Sequence, residues 1–562
     1  MLATEDALSK ALRTAVGRVD KNEGAKQGIP VDAPRWEIPK DASFGDLSSS
    51  IAFKIAARRK QPPTLIAEQL SLALGLCCRD AGIGDCIDRV EAKAGFINVF
   101  LSARTLANVV QLILRKPASY GTCAPSTSKS INIEFVSANP TGPLSLAHGR
   151  QAGVGDVLAR LLRTQGYSVT TEFYLNDEGR QIELLGRSLR ARYLEQIGRA
   201  EEFPTDGYHG AYVVEQAAIL RRRYGTRLAD ARLGRFMELG MRHQLRGIRR
   251  DLTHFGLVFD NWTSQRWLRT SGRIDDVLQE LKSCGVLYEA DGALWFSSTK
   301  FGDDKDRVVR KKDGELTYLA PDIAYHHWKF QCGYNQLLNL WGPDHHGYIM
   351  RLKAAVSALG LESERLTVRI AQLVTLSRGG KPIPMSKRQG EFVTFREVMD
   401  EVGVDATRFF LLMRTMDSHL DFDLDLAKSQ SQDNPVYYVQ YAYARICSIF
   451  AKSPISWWAR RQAKLGLLKE AEELLLMRLL FQYPVVLRLC AASLEPHGLT
   501  VYLRRLAEGF HVFYTKHRVI SENRQVSAAR LALAEATRQV LANGLRILGV
   551  HAPRRMQKQL AR

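Results

Sequence analysis

A chain of 562 residues, 45% hydrophobic and 25% charged, has the composition of a soluble folded protein and a length for about three or four domains, which excludes a peptide or a disordered polymer. Its 79 Lys and Arg against 59 Asp and Glu leave a formal charge of +20, so either a polyanionic partner (nucleic acid or an acidic membrane surface) is expected, or the excess is a solvated coat. The opening MLATEDALSKALRTAVGRVDK carries no apolar core of signal-peptide length, and no stretch is read as reaching the ~18 apolar residues of a membrane span, so a cytoplasmic protein without membrane contact is expected. Cysteines 77, 78, 86, 123, 284, 332, 447 and 490 include no Cys-x-x-Cys pair and no ligand-like grouping with histidine; they read as reduced thiols, and no metal site is expected.

In chain order, residues 1–115 alternate helical periods with turn signals and close on the strand-like run Ala94 to Ser102, which predicts a small α/β domain. Residues 116–130, KPASYGTCAPSTSK with the following serine, have the composition of a linker. Over 131–429 strands alternate with helices: INIEFV, a helix over GRQAGVGDVLARLLRTQG with apolar Val154, Val157, Leu158, Leu161 and Leu162, then SVTTEFYL, LLNLWG leading into DHHGYIMRLKAAVSALG, and LTVRIAQLVTL as one strand running into a basic loop. That order predicts a parallel α/β sheet, which binds nucleotides at the carboxyl edge of its strands. Residues from about 180 to 300 read as largely helical and arginine-rich, and RVVRKKDGELTYLAPD reads as a hairpin turning at Asp313-Gly314. Over 430–562 strands disappear, and an all-helical domain opens with Asn434 as a cap and Pro435 at the first helical position. From Ile455 to Arg562 there are 18 Lys and Arg against 7 Asp and Glu, which makes this the candidate surface for a phosphate backbone.

Two constellations carry chemistry. The first, EFVSANPTGPLSLAHGR from Glu134 to Arg150, lies between a strand and a helix start, where unpaired N–H groups and the helix dipole favour phosphate. Its motif is Ala138, Asn139, Pro140, Thr141, Gly142, Pro143, Leu144, Ser145, Leu146, Ala147 and His148, and His148 can donate to a phosphoryl oxygen. The second, SRGGKPIPMSKRQGEF from Ser377 to Phe392, sets Lys381, Lys387 and Arg388 beside glycines, so it can fold over a triphosphate and neutralise charge at the α-phosphate. The plain structural readings are a structural histidine and a solvated basic loop. The doublets His326-His327 and His345-His346 project to different helix faces and make a poor metal-ligand set. Tyr437 and Tyr441 recur at helical spacing, which favours core packing over base stacking.

Together the two motifs resemble the elements with which class I aminoacyl-tRNA synthetases bracket ATP. The series FVSANPTGPL, FYLNDEGRQIELLG, TYLAPDIAYH, LWGPDHHGYIMRLKAAVSALG, GEFVTFREVMDEVGVDATRFFLLMR and DNPVYYVQYAYARICSI, in that order over most of the chain, resembles the bacterial-type arginyl-tRNA synthetase family. The resemblance implies a Rossmann-like catalytic domain between an N-terminal tRNA-contacting α/β domain and a helical anticodon-binding domain. It implies an aminoacyl-tRNA ligase that activates L-arginine with ATP and Mg2+ and charges tRNA(Arg), working as a monomer. Glu134 and Asn139 then meet the α-amino group and its surroundings, while Tyr318 and Asp322 meet the guanidinium, whose five donors need fixed acceptors. Ser145, His148, Gly342, Asp344, His345, Met385, Ser386, Lys387 and Arg388 fall to ATP, with His148 and Lys387 acting in catalysis. The chain departs from the family with Ser145 for a histidine, Ala147 for a glycine and Pro384 where lysine is common. Those departures leave open an intact site, a slowed one, or a non-catalytic or weakly active tRNA-binding paralogue of the same fold.

Overall fold

A computed structural model describes residues 2–21, 36–39, 41–126, 128–383 and 393–556. The N-terminal unit packs helices Leu2–Lys21, Ile51–Arg59 and Pro63–Asp80 on a three-stranded antiparallel sheet in which Phe96–Leu101 is central. Its hairpin partner Ile87–Lys93 went unread in the sequence, because only a half-buried pattern marks it. The two strands meet at Ala94-Gly95, both at positive φ (51° and 80°), as the tightest hairpin turns require. Ser102 caps the helix Ala103–Arg115, accepting from the Thr105 N–H at 3.3 Å.

The catalytic unit is a Rossmann-like five-stranded parallel sheet, labelled here β1 (Ser130–Glu134), β2 (Ser168–Leu175), β3 (Asn261–Ser264), β4 (Gln336–Trp341) and β5 (Leu366–Ile370), in the order β5-β4-β1-β2-β3. Its helices are α1 (Leu146–Thr164), α2 (Arg180–Gln196), α3 (Ala211–Tyr224), α4 (Leu233–His254) and α5 (Leu319–Gln331). Val154, Val157, Leu158, Leu161 and Leu162 of α1 are all buried. Strand order reverses beside β1 and β4, so the crevice outside their carboxyl ends is where such a sheet takes a ligand.

Two corrections concern this sheet. LTVRIAQLVTL is two strands: Ala371 still donates to the Trp341 carbonyl (2.8 Å), but Gln372 donates to Met416 (2.9 Å), and Val374–Arg378 then pairs with Leu420–Asp423 in another sheet. The exit from the sheet is held by the buried Arg150 of α1, which donates to the carbonyls of Gln372 (2.8 Å), Ser418 (2.9 Å) and Thr415 (2.8 Å). The stretch from about 180 to 300, read as largely helical, is so, but it also holds β3 and the strands Leu287–Ala290 and Ala293–Phe296, which form an antiparallel sheet with Arg307–Arg310 just beyond it. The hairpin at Asp313-Gly314 is present: the Lys311 backbone N–H donates to the Glu315 carbonyl at 2.8 Å, and Gly314 has φ +86°.

The helical unit begins as the sequence indicated, with Asn434 accepting from Val436 and Tyr437 ahead of Pro435. One helix, Ala471–Ser493, is 23 residues long and apolar enough to cross a membrane by length and composition, contrary to the expectation from sequence. Its apolar surface is consumed by packing: 72% of that window is buried, much of it against Ala103–Arg115, His497–Lys516 and Arg524–Leu548. Segment 116–130 does not run free between units. Tyr120 is buried, donates to the Leu480 carbonyl at 2.8 Å and stacks on Tyr483, while Asn543 donates to the Pro117 carbonyl at 2.7 Å. The catalytic and helical units are pinned by Arg408, buried between Asp156 of α1 and the carbonyls of Phe255 (2.6 Å) and Leu548 (2.9 Å).

Candidate active site

Strand β1 ends at Glu134 and the chain turns sharply, with Val136 at φ 68° and Ser137 at φ 37°. Non-glycine residues hold such a conformation only where their surroundings over-determine it. Here the Ser137 hydroxyl donates to Glu134 Oε1 (3.1 Å) and accepts from the Tyr174 N–H (3.1 Å). Asn139 accepts from Asn176 (2.6 Å) and donates to Gln181 (2.7 Å) at the head of α2.

Ser145 is the N-cap of α1 and His148 stands at N3, reaching back over the cap. The Ser145 backbone N–H donates to His148 Nδ1 at 3.1 Å, and the Ser145 hydroxyl lies 2.8 Å from the same nitrogen. Since a backbone N–H can only donate, Nδ1 is the acceptor and the neutral imidazole carries its proton on Nε2. The serine therefore engages the histidine rather than standing beside it as a second donor. The cap also touches the end of the basic loop, since Phe395 donates to the Leu144 carbonyl (2.8 Å) and Ser145 bridges Thr394. A Cβ on Gly149 would come within 2.4 Å of the Phe395 ring, so α1 presses directly on that anchor. The other end of the loop is tied by Ile383 donating to Leu376 at 2.8 Å. Met385, Ser386, Lys387, Arg388 and Pro384 lie outside the described residues.

Across the crevice, α5 presents Asp322, Tyr325, His326 and Lys329 along one face. Lys329 is fully buried and donates to Glu134 Oε2 at 2.8 Å. Tyr348 donates to Asp322 Oδ2 at 2.7 Å. Burial pushes the Asp322 carboxyl up to about 7, Glu134 adds to the rise, and the Tyr348 hydrogen bond and Lys329 oppose it. Tyr174 is driven above its ordinary value by burial and by the fields of Asp322 and Glu134. Two carboxylates and two tyrosines are thus gathered in one cluster, whose acceptors suit a planar cation. Tyr318 is not brought into it: it caps α5 one turn before Asp322 and is 82% exposed.

Below lies a buried polar row in register across β4, β1 and β2: Asn339, Glu134 and Glu172. Glu172 accepts from Asn132 (2.5 Å), Thr263 (2.8 Å) and Tyr325 (2.7 Å). His326 bridges the Asp322 carbonyl (2.8 Å) and Asn339 (2.7 Å), and burial beside Lys329 pushes its imidazole down to about 3. It is a neutral strut holding α5 at one rotation. Among the described residues no three His, Cys, Asp or Glu side chains gather as a metal site.

Gly342 leaves β4 facing Gln151 of α1, where a Cβ added to the glycine would lie 3.9 Å from the glutamine amide nitrogen. Asp344 and His345 are exposed on the short helix Pro343–Tyr348, where the His345 ring lies 5.8 Å from that of Trp341. That helix ends in Tyr348, so the loop carrying Gly342, Asp344 and His345 is joined to the Asp322 carboxylate by one hydrogen bond. Lys329, Tyr348, Tyr174 and Ser137 were not singled out in the sequence, and His326 was weighed there only as a metal ligand. For the α5 residues the missed signal was a polar stripe at spacings of three, four and seven on an otherwise apolar helix.

Residues 3–101 match the family described as arginyl tRNA synthetase N terminal domain, 109–212 and 268–417 that of tRNA synthetases class I (R), catalytic domain, and 439–556 the DALR anticodon binding domain. An arginine--tRNA ligase 1 of Halalkalibacterium halodurans is 44% identical over 527 residues, covering 92% of this chain and 94% of that protein. An arginine--tRNA ligase of Desulforamulus reducens is 41% identical over 563 residues, covering 98% and 99%. Among solved structures, a putative arginyl tRNA synthetase of Campylobacter jejuni superposes with TM-score 0.76 at 33% identity over 81% of this chain and all of that one. The arginyl-tRNA synthetase of Thermus thermophilus, at 21% identity over 98% of this chain and all of its own, shares the fold with TM-score 0.78.

Proposed function

Since this chain belongs to the arginyl-tRNA synthetase family, we propose that the crevice between β1 and β4 activates arginine and hands it to tRNA. The chain is an arginine–tRNA ligase whose substrates are L-arginine, ATP and tRNA. Our reading adds that it charges tRNA(Arg) as a cytoplasmic monomer without membrane attachment, with Mg2+ arriving on ATP. The observation that carries the site assignment is the buried cluster beside the ends of β1 and β2, where Asp322, held by Tyr348, lies within the electrostatic reach of Glu134 and Tyr174.

Asp322 takes the guanidinium and Glu134, fixed by Lys329 and Ser137, meets the α-ammonium, so the arginine carboxylate is left facing the head of α1. There the carboxylate oxygen attacks the α-phosphate of ATP, the bond to the bridging oxygen breaks, and diphosphate leaves. His148 donates from Nε2 to a phosphate oxygen, a role open to it because Nδ1 already accepts from Ser145. The dipole at the start of the 19-residue α1 adds a positive field at the same place. We assign Lys387 of the basic loop to the charge that builds on the leaving group, and Gly342, Asp344 and His345 to the adenosine side. A ribose hydroxyl of the tRNA 3′ end then attacks the arginyl carbonyl and AMP departs, with no covalent enzyme intermediate. No observation favours the weakly active paralogue.

The test is aminoacylation of tRNA(Arg) with arginine and with lysine. A site built to pair a guanidinium leaves its acceptors unmatched by an ammonium, so discrimination of about 10⁴ or more is expected. Comparable charging of the two would refute the assignment of Glu134 and Asp322.

A further inference from the structure

Helices α3 and α4 fall almost wholly in the stretch, 213–267, that the catalytic-domain family does not match. Between them runs a cleft of about 190 Å³ lined by Arg223 and Tyr224 on one side and Arg235, Glu238, Arg242, His243 and Arg246 on the other. Arg235, Arg242 and Arg246, seven and four residues apart, share one face of α4. Arg242 is answered by Glu238. Among the described residues no carboxylate lies within ion-pair distance of Arg223, Arg235 or Arg246, and all three are exposed. Residues 211–254 carry ten arginines against four Asp and Glu, a denser positive charge than the helical domain's. Burial lowers the His243 imidazole, and the fields of Arg246 and Arg250 lower it further. The floor is rigid: Gln216 donates to the Leu239 carbonyl (3.1 Å) and accepts from Gln244 (2.9 Å).

The cleft is tied to the active-site loop. Tyr212, at the start of α3, donates to the Thr141 carbonyl at 2.9 Å, and α2 holds Asn139 through Gln181. From Tyr212 to Arg223 is eleven residues, or about 16 Å along the helix axis. That is the length of about five stacked nucleotides at roughly 3.4 Å each. Guanidinium groups without carboxylates, at that distance from the point of transfer, fit a phosphate backbone whose last nucleotide lies in the crevice.

We propose that this cleft binds the sugar-phosphate backbone of the tRNA acceptor strand next to its 3′ end, through Arg223, Arg235 and Arg246. The proposal rests on tRNA being the substrate. The experiment uses the full chain with Arg223→Gln, Arg235→Gln and Arg246→Gln combined, the same positions changed to lysine, and Arg246→Gln alone. The probes are intact tRNA(Arg) and tRNA(Arg) lacking its six 3′ nucleotides, with binding measured between 50 and 200 mM KCl. The triple glutamine variant should bind intact tRNA at least tenfold more weakly, with a log–log salt slope shallower by about 2, since each single-strand phosphate contact releases about 0.7 counterion. Arg246→Gln alone should account for about a third of that slope change, and the lysine variant should recover most of the affinity. Truncated tRNA should bind wild type and the glutamine variants alike, and the KM values for arginine and ATP at saturating tRNA should stay within twofold, which reports an intact fold. Unchanged binding of intact tRNA overturns the proposal. So does equal weakening of intact and truncated tRNA, which would place the contact elsewhere on the tRNA. Failure of the wild type to charge tRNA would instead overturn the reading on which the proposal rests.

Discussion

Asp322→Asn should stabilise the ligand-free protein at high pH while destroying its affinity for arginine. The carboxyl is raised from its ordinary 3.8 to about 7 by burial, with Glu134 adding to the rise. Between those values the folded protein keeps a proton that the unfolded chain has lost, so its stability falls as pH climbs from about 4 to about 7 and is level above. At 1.36 kcal/mol per tenfold in the proton equilibrium, holding the ionised carboxylate in the fold costs up to about 4 kcal/mol at pH 8 and about 1.5 kcal/mol at pH 5. Asparagine keeps an acceptor for Tyr348 but carries no charge, so the stability gap between variant and wild type should widen by about 2–3 kcal/mol from pH 5 to pH 8. Urea unfolding at the two pH values measures it. Arginine binding must pull the carboxyl into its ionised form, so wild-type affinity should weaken about tenfold per pH unit below 7 with release of one proton. The variant should lose 2–5 kcal/mol of arginine affinity at pH 8. A variant no more stable than wild type at pH 8, or an arginine affinity flat from pH 5.5 to 8, would refute the argument.

Three further outcomes are expected. His148→Ala removes a donor that acts chiefly in the transition state and should slow single-turnover adenylation, with tRNA present, by about 30- to 1000-fold, with a much smaller change in ATP binding; a rate equal to wild type would displace His148 from the phosphate site. Arg408→Met leaves two buried carbonyls without donors while Asp156 retains Arg160 at 3.0 Å, so a loss of about 3 kcal/mol is expected in urea unfolding, and a loss under 1 kcal/mol would show the junction to be unimportant. Diphosphate exchange should be silent without tRNA if the bound acceptor end orders the catalytic loop; robust exchange from enzyme, ATP and arginine alone would contradict this.

Elements with a full periodic signal were readable from sequence, and the reasons are local. SVTTEFYL is the strand β2 to the residue, and Asn434-Pro435 opens its helix as capping chemistry dictates. What escaped notice depended on partners distant in the chain. Asn261–Ser264 has four residues and no alternation of its own, and it is a strand because Glu172–Leu175 offers it a parallel edge. LTVRIAQLVTL carries strand-forming residues on both sides of Gln372 and no glycine or proline to mark a break there; the exit from the sheet is held by a guanidinium more than two hundred residues earlier.

The site divides along the same line. Glu134 and Asp322 were nameable through the family resemblance and His148 through its place at a helix start, yet the strongest tie on each carboxylate comes from outside its own motif, with only Ser137 reaching Glu134 from within it. Glu134 is fixed by Lys329 at 2.8 Å and Asp322 by Tyr348 at 2.7 Å. Ser145 shows most directly how a departure can be read once geometry is known. As a sequence feature it counts as a lost histidine; in the fold its N–H and hydroxyl both address His148 Nδ1. That contact sets the tautomer and leaves Nε2–H as the donor. A histidine in its place would supply the same backbone N–H, but its ring could not sit where the hydroxyl does, 2.8 Å from Nδ1. Ser145→His should therefore change the orientation of His148 as well as adding a donor, and a rise in adenylation rate requires that the added donor outweigh that loss. If the substitution lowers the rate, the serine is an adapted orienting residue of a working site; a rise from background to measurable turnover would mean that the site had decayed.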